Sequence, residues 1–311
     1  MRRFRLSPTA FAKVALVAGV LLAVIIVTGA AVRLTGSGLG CPDWPNCEPG
    51  RLTPKSADDV HAVVEFVNRV FTGAVSMAVI VCVLGSVLRD PRRRDLIWLS
   101  LGLVAGVIAQ AVVGGLTVLF ELRPEFVMTH FLLSLVLLTN AVVLYQRATQ
   151  PRAPAVLQVD LRCRTWSRGL VVAACVVVAT GTVVTSTGPH GGDEEAKRFA
   201  FEISHVARIH GISVMAFLTI VLVLLARLRR THAPEPVVNR LGAVLLVACV
   251  QAAIGYIQYF NDIPALLVGL HIAGATALWV AVIWYFLGIS ARPDPTAALP
   301  RAEAPAVVRT A

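Results

Sequence analysis

The sequence predicts an all-α polytopic membrane protein, with eight transmembrane helices forming two tandem four-helix bundles. Three observations predict it. Of 311 residues, 57% are hydrophobic and only 15% charged, against about 25% charged in ordinary soluble domains. The mean hydropathy is +0.75. The apolar residues fall in eight blocks, each near the roughly 20 residues that a spanning helix needs. This composition excludes a soluble enzyme. It also excludes a nucleic-acid partner: the net charge is +10, but the basic residues cap apolar runs rather than line a groove. The lipid bilayer is the partner that the composition requires.

The blocks run over 13–33, 61–88, 96–119, 125–146, 168–187, 201–226, 240–258 and 264–288. The first resembles a signal peptide in its basic flank, but its apolar part is too long for a typical signal core. The Lys and Arg residues set the orientation. Twenty of the 28 lie on the side of the N-terminus, the 89–95, 147–168 and 227–240 loops and the C-terminal tail; six lie on the other side. The basic side is expected to be cytoplasmic, with both termini inside and the chain multi-pass in the plasma membrane. Arg69 and Arg208 fall within spans, where charge is expensive and usually functional. The tail 291–311, rich in Ala, Pro and Arg, is expected to be disordered.

The outer loop 34–60 carries Cys41-Pro-Asp-Trp-Pro-Asn-Cys47. In an oxidising compartment Cys41 and Cys47 would close a small ring, with Pro42 and Pro45 favouring turns inside it. The alternative is two free thiols.

The chain repeats itself. Thr28-Gly29 through Gly36 matches Thr180-Gly181 through Gly188 at an offset of 152. Gln110 to Gly114 matches Gln251 to Gly255 at 141, and His130 falls on His271 at the same offset. At 142, Asn68 falls on His210. The order is collinear, so residues 1–150 and 151–290 read as two copies of one four-helix unit. An even helix count keeps the copies parallel.

Five of seven histidines lie in spans; His190 and His232 lie in loops and are expected to be solvated. His130, His210 and His271 share one layer, about 8–14 Å below the outer surface at 1.5 Å per residue. His205 points to another side of its helix from His210. A lone buried imidazole is as readily a hydrogen-bonded core residue. Two of them on helices 6 and 8 at one depth suit axial ligation of a haem iron. In the first copy His130 is kept, but Asn68 stands where the partner imidazole would be. Glu65 lies one turn before Asn68 on the same face, and His61 one turn before Glu65. A buried carboxylate serves proton transfer or partners a cation; a helix-stabilising pair with an arginine is the plainer reading. Arg33 and Arg208 are placed to meet haem propionates, Arg33 alternatively by snorkelling at the interface.

These motifs resemble the haem A synthase family. The residues that carry the resemblance are Arg33-Leu-Thr-Gly-Ser-Gly38, the Cys41–Cys47 segment, Glu65-Phe-Val-Asn-Arg69, Met128-Thr-His130, Thr187-Gly-Pro-His-Gly-Gly-Asp193, His210 and His271. The resemblance spans about residues 13–288. It implies a b-type haem between His210 and His271, with haem O bound as substrate in the N-terminal half. It implies oxidation of the C8 methyl of haem O to a formyl group by two hydroxylations, with loss of water from the gem-diol. It implies His130 as ligand of the substrate iron, Glu65 as catalytic residue, Arg33, Arg69 and Arg208 as positioning candidates, and a Cys41–Cys47 disulfide. It further implies a haem O synthase as supplier, a haem-A-containing terminal oxidase or its assembly factors as recipient, and an electron acceptor of unknown kind. The family's usual Glu-x-x-His is here Glu65-x-x-Asn68, leaving His130 alone or joined by His61 or by Asn68, a poor iron ligand. The rival readings are a b-type cytochrome acting only in electron transfer, which would favour four histidine ligands, and a repeat-built transporter, which leaves the histidine layer unexplained.

Overall fold

The computed structural model describes residues 5–293. Within them are eight helices long and apolar enough to cross a membrane. They are α1 (Pro8–Leu34), α2 (Val60–Leu88), α3 (Arg94–Leu119), α4 (Pro124–Thr149), α5 (Leu161–Thr187), α6 (Ile203–Arg230), α7 (Glu235–Phe260) and α8 (Ala265–Gly288). All eight expected spans are present; α1, α3, α4, α5 and α7 run past the expected bounds, whereas α2 and α8 agree with them to within one residue and α6 starts two residues later and ends four later. Expectations for Arg2, Arg3 and the tail beyond residue 293 lie outside the described residues.

Local chemistry sets the helix starts. Ser7 accepts a hydrogen bond from the Ala10 N–H at 3.2 Å, ahead of Pro8; Asp59 accepts from Ala62 N at 3.1 Å; Asp160 accepts from Cys163 N. Each satisfies an orphan donor of the first turn. At Asp160, the Cys163 N–H and the Arg227 guanidinium hold the carboxyl down at about 2. Arg93 closes the far end of α4 by donating to Arg147 O at 2.9 Å and Gln150 O at 2.8 Å.

The duplication is visible in the backbone. The α3–α4 turn places Glu121 and Leu122 at φ 53° and 56°, and the α7–α8 turn places Asp262 and Ile263 at 59° and 54°. Consecutive non-glycine residues in this region are uncommon, and these two pairs stand 141 residues apart, the offset read from the sequence. In the first half α1 packs on α2 and α4, and α3 on α2 and α4; in the second, α5 packs on α6 and α8, and α7 on α6 and α8. The halves meet along α1–α8, α4–α8 and α4–α5. The Trp279 indole crosses that seam, donating to Thr139 Oγ at 2.8 Å and Leu135 O at 3.2 Å.

Each half is packed solid toward its arginine-rich end. Phe11, Leu96, Leu103, Leu138 and Leu144 form one core; Leu170, Phe217, Leu224, Leu241 and Tyr285 form the other. The sequence-predicted histidines, with Glu65 and Asn68, lie toward the opposite end. The outward faces are apolar and exposed, Trp98, Phe260 and Leu266 among them, as lipid contact demands. At the basic end Val156–Leu157 pairs antiparallel with Ser290–Ala291, and Arg292 donates to Ala153 O. The start of the tail, expected to be disordered from 291, is therefore ordered through these pairings, which the composition does not reveal.

Trp279→Phe keeps an aromatic ring and removes the cross-seam donor. A buried interhelical bond of this kind contributes about 1 kcal/mol, so thermal unfolding in detergent should show a drop of a few degrees.

Candidate functional site

Three imidazoles stand at nearly one depth. His130 and His271 are the seventh residues of α4 and α8, and His210 the eighth of α6. The neighbouring helix meets each with a glycine. A Cβ built on Gly114 would lie 3.1 Å from the His130 ring, one on Gly181 3.1 Å from His210, and one on Gly255 3.2 Å from His271. Any side chain there would push the ring aside.

In the second half, His210 and His271 face each other with ring centroids 6.4 Å apart and planes at 83°. A metal–imidazole bond is about 2.0 Å and a ring nitrogen sits roughly 1.1 Å from its centroid, so imidazoles on opposite sides of one metal have centroids about 6.2 Å apart. The spacing fits a shared iron. Thr180 Oγ bonds His210 Nδ1 at 3.1 Å, which fixes that ring's rotation and leaves its other nitrogen to the cavity. Among the described residues His271 Nδ1 is buried without a partner. The cavity around the pair holds about 640 Å³ and is lined by apolar side chains with His190, Arg208 and Gln251, within the range of sites that take a compact organic ligand. Arg208 is exposed at its edge, suited to a carboxylate on a bound group. These features fit a haem. His205 stays outside, 3.4 Å from Glu202.

The first half is built differently. Glu65, 6% exposed, accepts from Cys41 N at 2.8 Å through Oε2. Its Oε1 accepts from Arg69 Nε at 3.1 Å and Nη2 at 2.5 Å. Arg69 also donates to Cys41 O at 2.9 Å, Asp43 O at 3.1 Å and Asn46 O at 2.7 Å. All five guanidinium donors are used, so Arg69 has none left for a propionate. It staples the Cys41–Cys47 loop to α2. The Cys41–Cys47 disulfide is formed. Trp44 of that loop stacks under Arg69 and reaches α3, where a Cβ on Gly115 would strike its indole at 2.4 Å. Gly114 and Gly115 thus carry His130 on one side and Trp44 on the other. Gln110 donates to His130 O at 3.2 Å and Ser134 Oγ at 2.6 Å.

The other candidates have partners of their own. His61 bonds Ser37 Oγ at 3.0 Å in the outer turn, two helical turns from Asn68. Arg33 donates to His190 O at 2.7 Å and Thr185 O at 2.9 Å, joining the two halves at their open end beside the Gly38 N to Gly192 O bond of 2.8 Å. His190, expected in solvent, donates to Ile263 O at 2.8 Å and lines the cavity. The sequence reading missed Thr180, Thr28 and the ring-facing glycines as functional, although the repeated Thr-Gly pair marked two of those places.

The fold and site together define a duplicated membrane protein with paired imidazoles in one half and a single imidazole beside an acidic, disulfide-capped site in the other. Residues 12–189 match the COX15-CtaA family, cytochrome oxidase assembly proteins, and the chain belongs to that family. The match ends before α6, so the second half rests on the internal duplication. Among similar proteins, "Heme A synthase" of Shewanella oneidensis is 30% identical over 143 residues, 41% of this chain and 42% of the relative. That of Lysinibacillus sphaericus is 35% identical over 124 residues, 40% and 39% of the two chains. That of Exiguobacterium sibiricum is 28% identical over 173 residues, 53% and 56%. The chain thus spans about half or less of the curated relatives it matches.

Arg69 and Arg208 separate by experiment. Arg69→Gln leaves a buried carboxylate and three carbonyls without their partner and should destabilise the protein by about 3–5 kcal/mol, read as a large fall in melting temperature. Arg208→Gln, at an exposed position, should change stability by under about 0.5 kcal/mol, read as an unchanged melting temperature.

Proposed function

We propose that the chain is a haem A synthase, an oxidoreductase that oxidises the C8 methyl of haem O to a formyl group by two hydroxylations and loss of water. The observation that carries this reading is the pairing of His210 and His271 at haem-ligating distance in one half, set against an unlike site in the duplicate half. An electron carrier has no use for that difference. A substrate site does: it must exchange its haem, whereas the cofactor site keeps one.

In this reading the second half holds a b-type haem between His210 and His271, with Arg208 toward a propionate. That haem, when bound, supplies one-electron transfer. The first half holds haem O as substrate, with His130 toward its iron. Glu65 accepts hydrogen bonds on both oxygens from Cys41 and Arg69, so it is a fixed anion suited to stabilise positive charge developing beside the methyl. Arg69 orients it. The disulfide-bonded loop with Trp44 walls the site from water. Methyl oxidation to an aldehyde removes electrons that must leave through a partner or a small acceptor. A haem O synthase supplies the substrate, and a haem-A-containing oxidase or its assembly factors receive the product. The arginine-rich end lies in the cytoplasm and the disulfide loop outside the plasma membrane, where oxidation is favoured.

The test is expression in a host that makes haem O but not haem A, followed by chromatography of the extracted haems with mass detection. Haem A beside haem B is expected. Haem B alone, with haem O abundant, would leave the electron carrier. Glu65→Gln should lower haem A yield by about 10²-fold while haem B is retained.

A further inference from the structure

The two halves form a comparison in which three corners agree and one does not. Thr180 bonds His210 Nδ1 at 3.1 Å in the second half. At the duplicate position Thr28 donates to Asn68 Oδ1 at 2.9 Å. The hydroxyl that fixes an imidazole in one half fixes an amide in the other, so Asn68 occupies the axial-histidine corner. Next to each threonine stands a glycine. Gly181 abuts the His210 ring, and Gly114 and Gly255 abut His130 and His271; a Cβ on Gly29 would meet nothing within 4 Å. The helix keeps the clearance for a ring, and no ring fills it.

Asn68 is too short to replace the imidazole. Its amide ends about two bonds from Cβ, whereas the far imidazole nitrogen lies about 1 Å farther out. With Oδ1 held by Thr28, the Nδ2 end is turned away from Thr28 and makes no hydrogen bond among the described residues. His61, the other candidate, is tied to Ser37 in the outer turn.

We propose that the first-half haem site has one protein axial ligand, His130, and an open axial position between Asn68 and Gly29 for a small neutral ligand, water or a diatomic gas, with Asn68 Nδ2 as its hydrogen-bond donor. This rests on the haem reading of the first half. The second half, with both corners filled by imidazole, offers no such position.

The probe is carbon monoxide added to the reduced, full-length protein carrying two haems, with spin state read by absorption and electron paramagnetic resonance before reduction. The wild type should show one high-spin and one low-spin ferric haem, and carbon monoxide should bind one haem of the two. Asn68→His should convert the high-spin signal to low-spin and weaken carbon monoxide binding at least about tenfold. Gly29→Leu fills the clearance without touching a ligand. It should lower carbon monoxide affinity by about tenfold or more with haem content and the low-spin signal intact, so the proposal stays testable if the histidine variant does not fold. Two low-spin haems with no carbon monoxide binding would overturn the proposal and leave the haem reading standing. A single haem, at His210 and His271, would overturn both.

Discussion

An imidazole inside a membrane must find its partners within the protein, because lipid offers none. That constraint organises this molecule. Each of His130, His210 and His271 is met by a glycine on the neighbouring helix, at 3.1–3.2 Å from a notional Cβ. The glycine lets the backbone close on the ring face and hold it by contact rather than by hydrogen bonds. Only His210 also has a hydroxyl on its Nδ1. The other two leave that nitrogen buried and bare among the described residues, a penalty of about 1–3 kcal/mol for each. Such an expense is tolerated where the second ring nitrogen has a strong partner to gain.

The same constraint explains why packing density differs along the helices. The arginine-rich end is filled with leucine, phenylalanine and the Tyr285–Ser167 pair at 2.8 Å. That solid end keeps the helices at fixed spacing, so the far end can open into a cavity without collapsing. The seam between the halves is fastened at both levels: Trp279 reaches across it within the membrane, and Arg33 does so at the open end. Arg33 therefore fastens the two halves to each other at that end.

Much of this was legible in the sequence, for physical reasons. Spans follow from hydropathy, and the copies from collinear Thr-Gly, Gln-to-Gly and histidine matches. The shared depth of the three histidines follows from helix rise alone. What was not legible depends on side-chain direction. Arg33, Arg69 and Arg208 look alike as basic residues near a site. Only the structure separates a seam fastener, a loop staple with all five donors used, and an exposed guanidinium at a cavity edge. His190 was misplaced because loops are read as solvated, whereas the turn holding Ile263 folds back to accept its N–H. The ring-facing glycines were seen as repeat markers, but their function appears only when a helix is placed against them.

The departures from symmetry point in one direction. The second half has two imidazoles and Tyr256 exposed where the first half has Gly115. The first half has traded one imidazole for Asn68 and gained a disulfide loop whose Trp44 needs the space at Gly115. Glu65 is bonded by that loop on one oxygen and by Arg69 on the other, so the loop and the acid are placed as one unit. Losing a ligand alone would weaken a haem site. In the proposed reading, losing it together with the gain of a fixed anion and a covalently closed wall would turn a site that stores a haem into one that admits a haem, shields it and releases it changed.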